Sequence, residues 1–136
     1  MKTKLVIFDL DGVLVEAKNI HFDALNTALG DEYSISWKEH LSTYDGLKTN
    51  QKLEMLSEQK GLPTELHKEI WESKQKLTLQ KLKELQPNET LQSLMSSLVD
   101  DGYKIAVCSN SIRKTVLTVL SKLGIMEYMD LVISNE

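Results

Sequence analysis

Two carboxylates one residue apart, Asp9 and Asp11, end a short apolar run, Leu5-Val6-Ile7-Phe8. A pair at this spacing can serve as nucleophile and acid/base, with a divalent cation offsetting its repulsion. The chemistry requires an element that holds both acids at one end. An apolar run without alternation predicts a strand over residues 4–9, buried on both faces as in a parallel sheet. The carboxyl end of such a strand faces the crevice where α/β proteins bind ligands. Asp11-Gly12 then turns the chain away. The same residues also describe an ordinary Asp-Gly turn with two solvated acids.

A second run, Ile105-Ala106-Val107-Cys108, predicts a strand over Tyr103–Cys108 and ends in Ser109-Asn110-Ser111. These three polar residues suit the cap of a following helix, predicted over Ser111–Leu123 and stopped by Gly124. Leu131-Val132-Ile133 predicts a third, short strand.

Between the first two strands the periodicity is helical. Asn19–Leu29 predicts a helix stopped by Gly30. Ser36-Trp37-Lys38-Glu39 has the form of a capping box and opens a short helix through Leu41 and Tyr44. Asp45-Gly46 turns. Thr49 is the expected cap of a helix carrying Leu53 and Leu56 and ending near Gly61. Pro63-Thr64-Glu65 starts a longer one, with Leu66, Ile70, Leu77, Leu82 and Leu85 inward and Pro87 as its end. Thr90–Asp101 predicts a further helix, with Leu91, Leu94, Met95 and Leu98 inward. The order strand, four helices, then helix-strand-helix-strand predicts an α/β, Rossmann-like parallel sheet with a helical insertion after its first strand. The domain expectation is a core of residues 1–16 and 87–136, with an inserted unit of residues 17–86. An insertion at that point suits a lid that excludes water.

The chain has 136 residues, a formal net charge of −4 and one cysteine. That balance gives no electrostatic footprint for nucleic acid or an anionic membrane surface. No apolar run is long enough to span a bilayer, and no secretory signal opens the chain, so a cytoplasmic location is expected. Cys108 reads as a core thiol. His40 and His67 read as surface residues, and Trp37 and Trp71 as packing residues.

Phe8-Asp9-Leu10-Asp11-Gly12-Val13 after an apolar strand resembles the first motif of the haloacid dehalogenase superfamily of phosphotransferases. Ser109, ending the second strand, matches the Ser or Thr of its second motif. The helical insertion is similar to the type-one cap of the beta-phosphoglucomutase and phosphoglycolate-phosphatase group. His21-Phe22 and the loop Gly46-Leu47-Lys48-Thr49 also resemble the mutases. Ala17 and Leu25 depart from the mutase pattern, and the loop lacks the mutases' Arg; Lys48 or Lys52 could replace it only as a point charge.

The resemblance implies Mg²⁺-dependent phosphoryl transfer on a small phosphorylated metabolite such as a sugar phosphate. Asp9 would attack phosphorus and become an aspartyl phosphate, and Asp11 would act as acid and base. Mg²⁺ would bind Asp9 and the backbone carbonyl of Asp11. Ser109 would donate to the transferring phosphate, helped by amides around Asn110 and Ser111 at a helix N-terminus. His21 would sit at the hinge, and Lys48, Thr49 and Lys52 would touch substrate. A phosphatase ranks above a phosphomutase, because the distal-phosphate Arg is missing.

Family members continue to a third motif with a Lys and a fourth with one or two acids. These 136 residues hold neither, and Glu136 is not assigned as a metal ligand. The resemblance therefore implies the N-terminal, truncated part of the core. It leaves open a second functional class: a catalytically incomplete fragment, or a binding protein that associates with itself or with a second chain through an unpaired sheet edge.

Overall fold

The computed structural model describes residues 4–135; Met1–Thr3 and Glu136 fall outside the description. The chain forms two compact units, Met1–Ala17 with Lys81–Glu136, and Lys18–Gln80.

The first unit holds three parallel strands in the order β1 (Lys4–Asp9), β2 (Tyr103–Cys108) and β3 (Leu131–Ile133). β1 and β2 pair in register from Lys4↔Tyr103 to Asp9↔Cys108, and β2 pairs β3 from Ala106↔Leu131 to Cys108↔Ile133. This is the parallel α/β core predicted from the sequence. One face is packed: Ile105 and Val107 are fully buried, with Val6, Phe8 and Val132 partly so. On the other face Ala106 of the central strand is buried, but the two flanking strands are open. Leu5, Ile7, Leu131 and Ile133 are 57%, 61%, 54% and 43% exposed. The expected two-sided burial of β1 is therefore wrong, because an apolar run shows that a strand can be covered but not that a layer covers it. Cys108 shares that face at the strand end and is exposed, which corrects its reading as a core thiol.

Five α-helices lie between β1 and β2. In the second unit α1 spans Lys18–Leu29, α2 spans Trp37–Glu39 and runs into a π turn at His40–Tyr44, and α3 spans Thr49–Lys60. α4 (His67–Leu82), preceded by a 3₁₀ turn at Thr64–Leu66, contains the boundary between units. The predicted capping box is present: Ser36 Oγ accepts from Glu39 N at 3.1 Å, and Glu39 Oε2 accepts from Ser36 N at 2.7 Å. Leu25, Leu29, Tyr44, Leu53, Leu56 and Ile70 belong to this unit's apolar core.

Four local expectations change. Lys48, not Thr49, is the N-cap of α3, with Gln51 Oε1 accepting from its N–H at 3.0 Å. The buried stripe of α4 is Ile70, Lys74, Thr78 and Leu82, a repeat of four, while Leu77 and Leu85 are only partly buried. α5 spans Glu89–Asp100 with Asn88 as its cap, and Leu94 is 43% exposed where an inward side chain was expected. α6 spans Arg113–Leu123, two residues shorter than predicted, and its N-cap is Ile112.

Candidate functional site

Asp9 is the last residue of β1, beside Cys108 at the end of β2. Its Oδ1 accepts from the amide of Leu10 at 2.8 Å, which orients the carboxylate. Leu10 is buried and anchors the exit from the strand. The next residues then close tightly: Asp11 bridges to Val15, Gly12 N donates to Val15 O at 2.7 Å, and Leu14 N and Val15 N donate to Leu10 O at 3.0 and 3.1 Å. Gly12 sits at φ +80°, a conformation that L side chains rarely adopt, so the Asp-Gly turn is what positions Asp11.

Ser109 follows β2 directly and is 8% exposed. Its Oγ accepts from Ser111 N at 3.1 Å, so the hydroxyl proton stays available to a further acceptor. Ser109 N donates to Ile133 O at 2.9 Å and Asn135 N donates to Ser111 O at 2.9 Å, tying this loop to the end of β3. None of Ser109, Asn110 and Ser111 is the N-cap of α6. The N-cap Ile112 has no side-chain cap bond, so no side chain of the cap residue satisfies the first amides of this helix. The fold thus gathers Asp9, Asp11, Ser109 and Asn110 at the carboxyl ends of two adjacent strands, about 4.8 Å apart as neighbouring strands are. Asp9 and Asp11 supply hard oxygen donors of the kind Mg²⁺ takes. Among the described residues no group of three or more His, Cys, Asp or Glu is placed to hold a metal.

The other predicted residues, His21, Lys48, Thr49 and Lys52, belong to the helical unit. Lys48 is exposed, whereas Thr49 and Lys52 are 9% and 5% exposed. His21 Nδ1 lies 3.0 Å from Lys74 Nζ, and Lys74 is 4% exposed. His40 is 1% exposed, not a surface residue. Its ring stacks on Trp37 at 5.2 Å and tilts against Phe22 at 5.3 Å. Burial, first, and then the nearby charge of Lys52 hold it below the usual histidine range; Asp45 pulls the other way, and His21 and Lys18 add to the lowering. His67 is also partly buried, 2.7 Å from Ser57 Oγ. Lys74 and His40 escaped the sequence reading. The available signal for Lys74 was a cation four residues from both Ile70 and Thr78, within the stripe that turns out to be buried.

The profile of a family described as haloacid dehalogenase-like hydrolase matches residues 6–136. Over 108 residues the chain is 34% identical to a phosphoserine phosphatase of Archaeoglobus fulgidus, covering 78% of this chain and 27% of that protein. Among solved structures, a predicted phosphoglycolate phosphatase from Haemophilus somnus superposes with a TM-score of 0.81 at 21% identity, covering 98% of this chain and 63% of that one. A beta-phosphoglucomutase from Clostridium difficile gives 0.80 at 24% identity, covering 99% and 62%. At these identities the solved structures establish the fold. The chain spans less than two thirds of each of these relatives.

Proposed function

The chain belongs to the haloacid dehalogenase-like hydrolase family, and from that premise we propose that it carries the nucleophile half of a phosphatase site for small phosphorylated metabolites. The observation that carries the reading is the register of Asp9 with Cys108, which sets the first carboxylate beside the strand that leads into Ser109. Asp9 attacks phosphorus and takes the phosphoryl group as an aspartyl phosphate. Asp11 gives a proton to the leaving oxygen and later takes one from the attacking water. Ser109 donates its hydroxyl proton to a phosphate oxygen, and amides around Asn110 and Ser111 hold the remaining negative charge. Asp9 and the carbonyl of Asp11 are the proposed holders of Mg²⁺, which when bound offsets charge on the phosphoryl oxygens. His21, Lys48, Thr49 and Lys52 are proposed as the helical unit's contribution to substrate choice. A cytoplasmic location belongs to the same proposal; among the described residues no helix is long and apolar enough to cross a membrane.

A phosphomutase is the second reading. It is favoured by the fold the chain shares with a beta-phosphoglucomutase of Clostridium difficile. A non-catalytic binding role, by self-association or with a second chain, is the reading of another class. It is favoured by the order β1-β2-β3, in which, among the described residues, β1 is paired on one side only.

The test is Mg²⁺-dependent release of phosphate from p-nitrophenyl phosphate. Release that disappears in Asp9→Asn supports the aspartyl-phosphate route, and release that survives the substitution overturns it. With a sugar monophosphate added as acceptor, transfer of the phosphoryl group to its hydroxyl, giving a sugar bisphosphate in place of free phosphate, selects the mutase. No release, together with saturable association between chains, selects the binding role.

A further inference from the structure

We propose that the core unit has a second anion site, along α6, that takes a small polyphosphate. An open, solvent-facing groove of about 420 Å³ is lined by Lys83, Lys114, Leu117, Thr118, Ser121 and Lys122. Five of these six belong to α6, and their spacing of three and four residues keeps them on one face of that helix. None of the six is among the candidate-site residues Asp9, Asp11, Ser109 and Asn110.

The electrostatics reverse the character of the chain. Acids outnumber bases overall, 20 to 16. Yet no Asp or Glu occurs from Gly102 to Met126, and none lines the groove. Among the described residues the ammonium groups of Lys83, Lys114 and Lys122 take part in no ion pair or hydrogen bond. Three cations gathered without a counter-charge raise the local concentration of anions.

Size sets the class of ligand. Lys114 and Lys122 stand eight residues apart, about 12 Å along the helix axis. A single phosphate engages one end of that span. A chain of linked phosphoryl groups engages both ends while Lys83 reaches its middle or flank. Ser121 supplies a hydroxyl donor. Thr118 Oγ1 already donates to Lys114 O at 2.8 Å, so its hydroxyl is committed. Leu117 gives a small apolar surface beside the charges. The phosphate chain can come from a free polyphosphate or from a nucleoside triphosphate.

The experiment titrates the whole chain with sodium tripolyphosphate, and separately with ATP and orthophosphate. EDTA is present and salt is about 50 mM, where exposed charges are weakly screened. The expected result is saturable one-to-one tripolyphosphate binding that weakens as salt rises, with amide NMR shifts centred on α6. The variant Lys83→Ala/Lys114→Ala/Lys122→Ala should lose about tenfold or more in affinity, the product of three modest charge contacts. The control Lys38→Ala/Lys68→Ala/Lys76→Ala removes the same net charge from the helical unit and should stay within about twofold. ATP binding more tightly, with added shifts at Leu117, assigns the nucleotide source; equal binding assigns the phosphate chain alone. No saturable binding, equal losses in both triple variants, orthophosphate binding as tightly as tripolyphosphate, or shifts centred on Ser109 would each overturn the proposal.

Discussion

Lys74 Nζ lies 3.0 Å from Nδ1 of His21, and the lysine is almost fully buried on α4. An ammonium group has only donors, so the imidazole nitrogen facing it must accept. Neutral His21 is therefore expected in the tautomer that carries its proton on Nε2. Long-range proton–nitrogen NMR spectra read this directly. Finding the proton on Nδ1 would show that the contact is not a hydrogen bond from Lys74. Lys74→Met, which keeps the buried stem, should release the tautomer preference while leaving α4 helical.

His40 makes the stability of the helical unit depend on pH. Its folded-state pKa is lowered, mainly by burial and then by Lys52. The unfolded value is about 6.5. The fold therefore prefers the neutral ring, and the contribution is complete above the unfolded pKa. It is lost as pH falls through the lower folded pKa, where the buried ring must charge. Urea midpoints should be flat around pH 7.5 and fall toward about pH 5. His40→Phe keeps an aromatic ring between Trp37 and Phe22 and should remove part of that acid loss. An unchanged slope in His40→Phe would assign the acid sensitivity to other groups.

Gly12→Ala probes the turn that sets Asp11. The added Cβ would meet nothing closer than Glu16 Oε1 at 4.0 Å, so crowding is not the cost. The cost is the backbone at φ +80°, about 1–2 kcal/mol for an L residue. The expected result is a lower unfolding free energy by about that amount, together with slower Asp11-dependent turnover. Full stability in Gly12→Ala would mean that the loop relaxes to another conformation.

Strand ends, helix stops and the capping box were readable because each is a local pattern. Tyr103–Cys108 and Leu131–Ile133 form as predicted, since apolar runs bounded by turn residues have few other solutions. The candidate residues Asp9, Asp11, Ser109 and Asn110 were readable for the same reason, being fixed by the ends of those strands. What escaped depends on partners far away in sequence. Leu5 and Ile7 are apolar enough for a covered layer, yet they face open solvent. His40 and Lys74 look like surface residues in charged stretches, and only the packing of several helices reveals them as buried. Ile112 as the cap of α6 was equally hidden, because three better capping residues precede it and spend their hydrogen bonds elsewhere or stand too early.

The open sheet face should show itself in solution. Two pairs of large aliphatic side chains, Leu5 with Ile7 on β1 and Leu131 with Ile133 on β3, flank Ala106 of β2 on one sheet face and form the kind of exposed patch that binds apolar dyes and other chains. Ile7→Thr/Leu131→Thr keeps β-compatible residues and should lower both dye fluorescence and concentration-dependent light scattering. Equal signals from the variant and the parent chain would locate the association elsewhere.

Ser109 separates a turn role from a phosphate role. Its Oγ holds the Ser111 amide at 3.1 Å, and the residue is nearly buried. Ser109→Ala leaves that amide without its acceptor, a loss of about 1 kcal/mol or somewhat more in stability. If the hydroxyl also donates to the transferring phosphate, turnover falls further, by about 10–100-fold, because a donor aimed at developing charge is removed. Ser109→Thr keeps the hydroxyl and should recover most of both effects. Measured side by side, urea midpoints report the turn and initial rates of phosphate release report the donor. A destabilised Ser109→Ala with an unchanged rate would leave Ser109 as a turn residue only, and would move the phosphate contacts to the amides around Asn110.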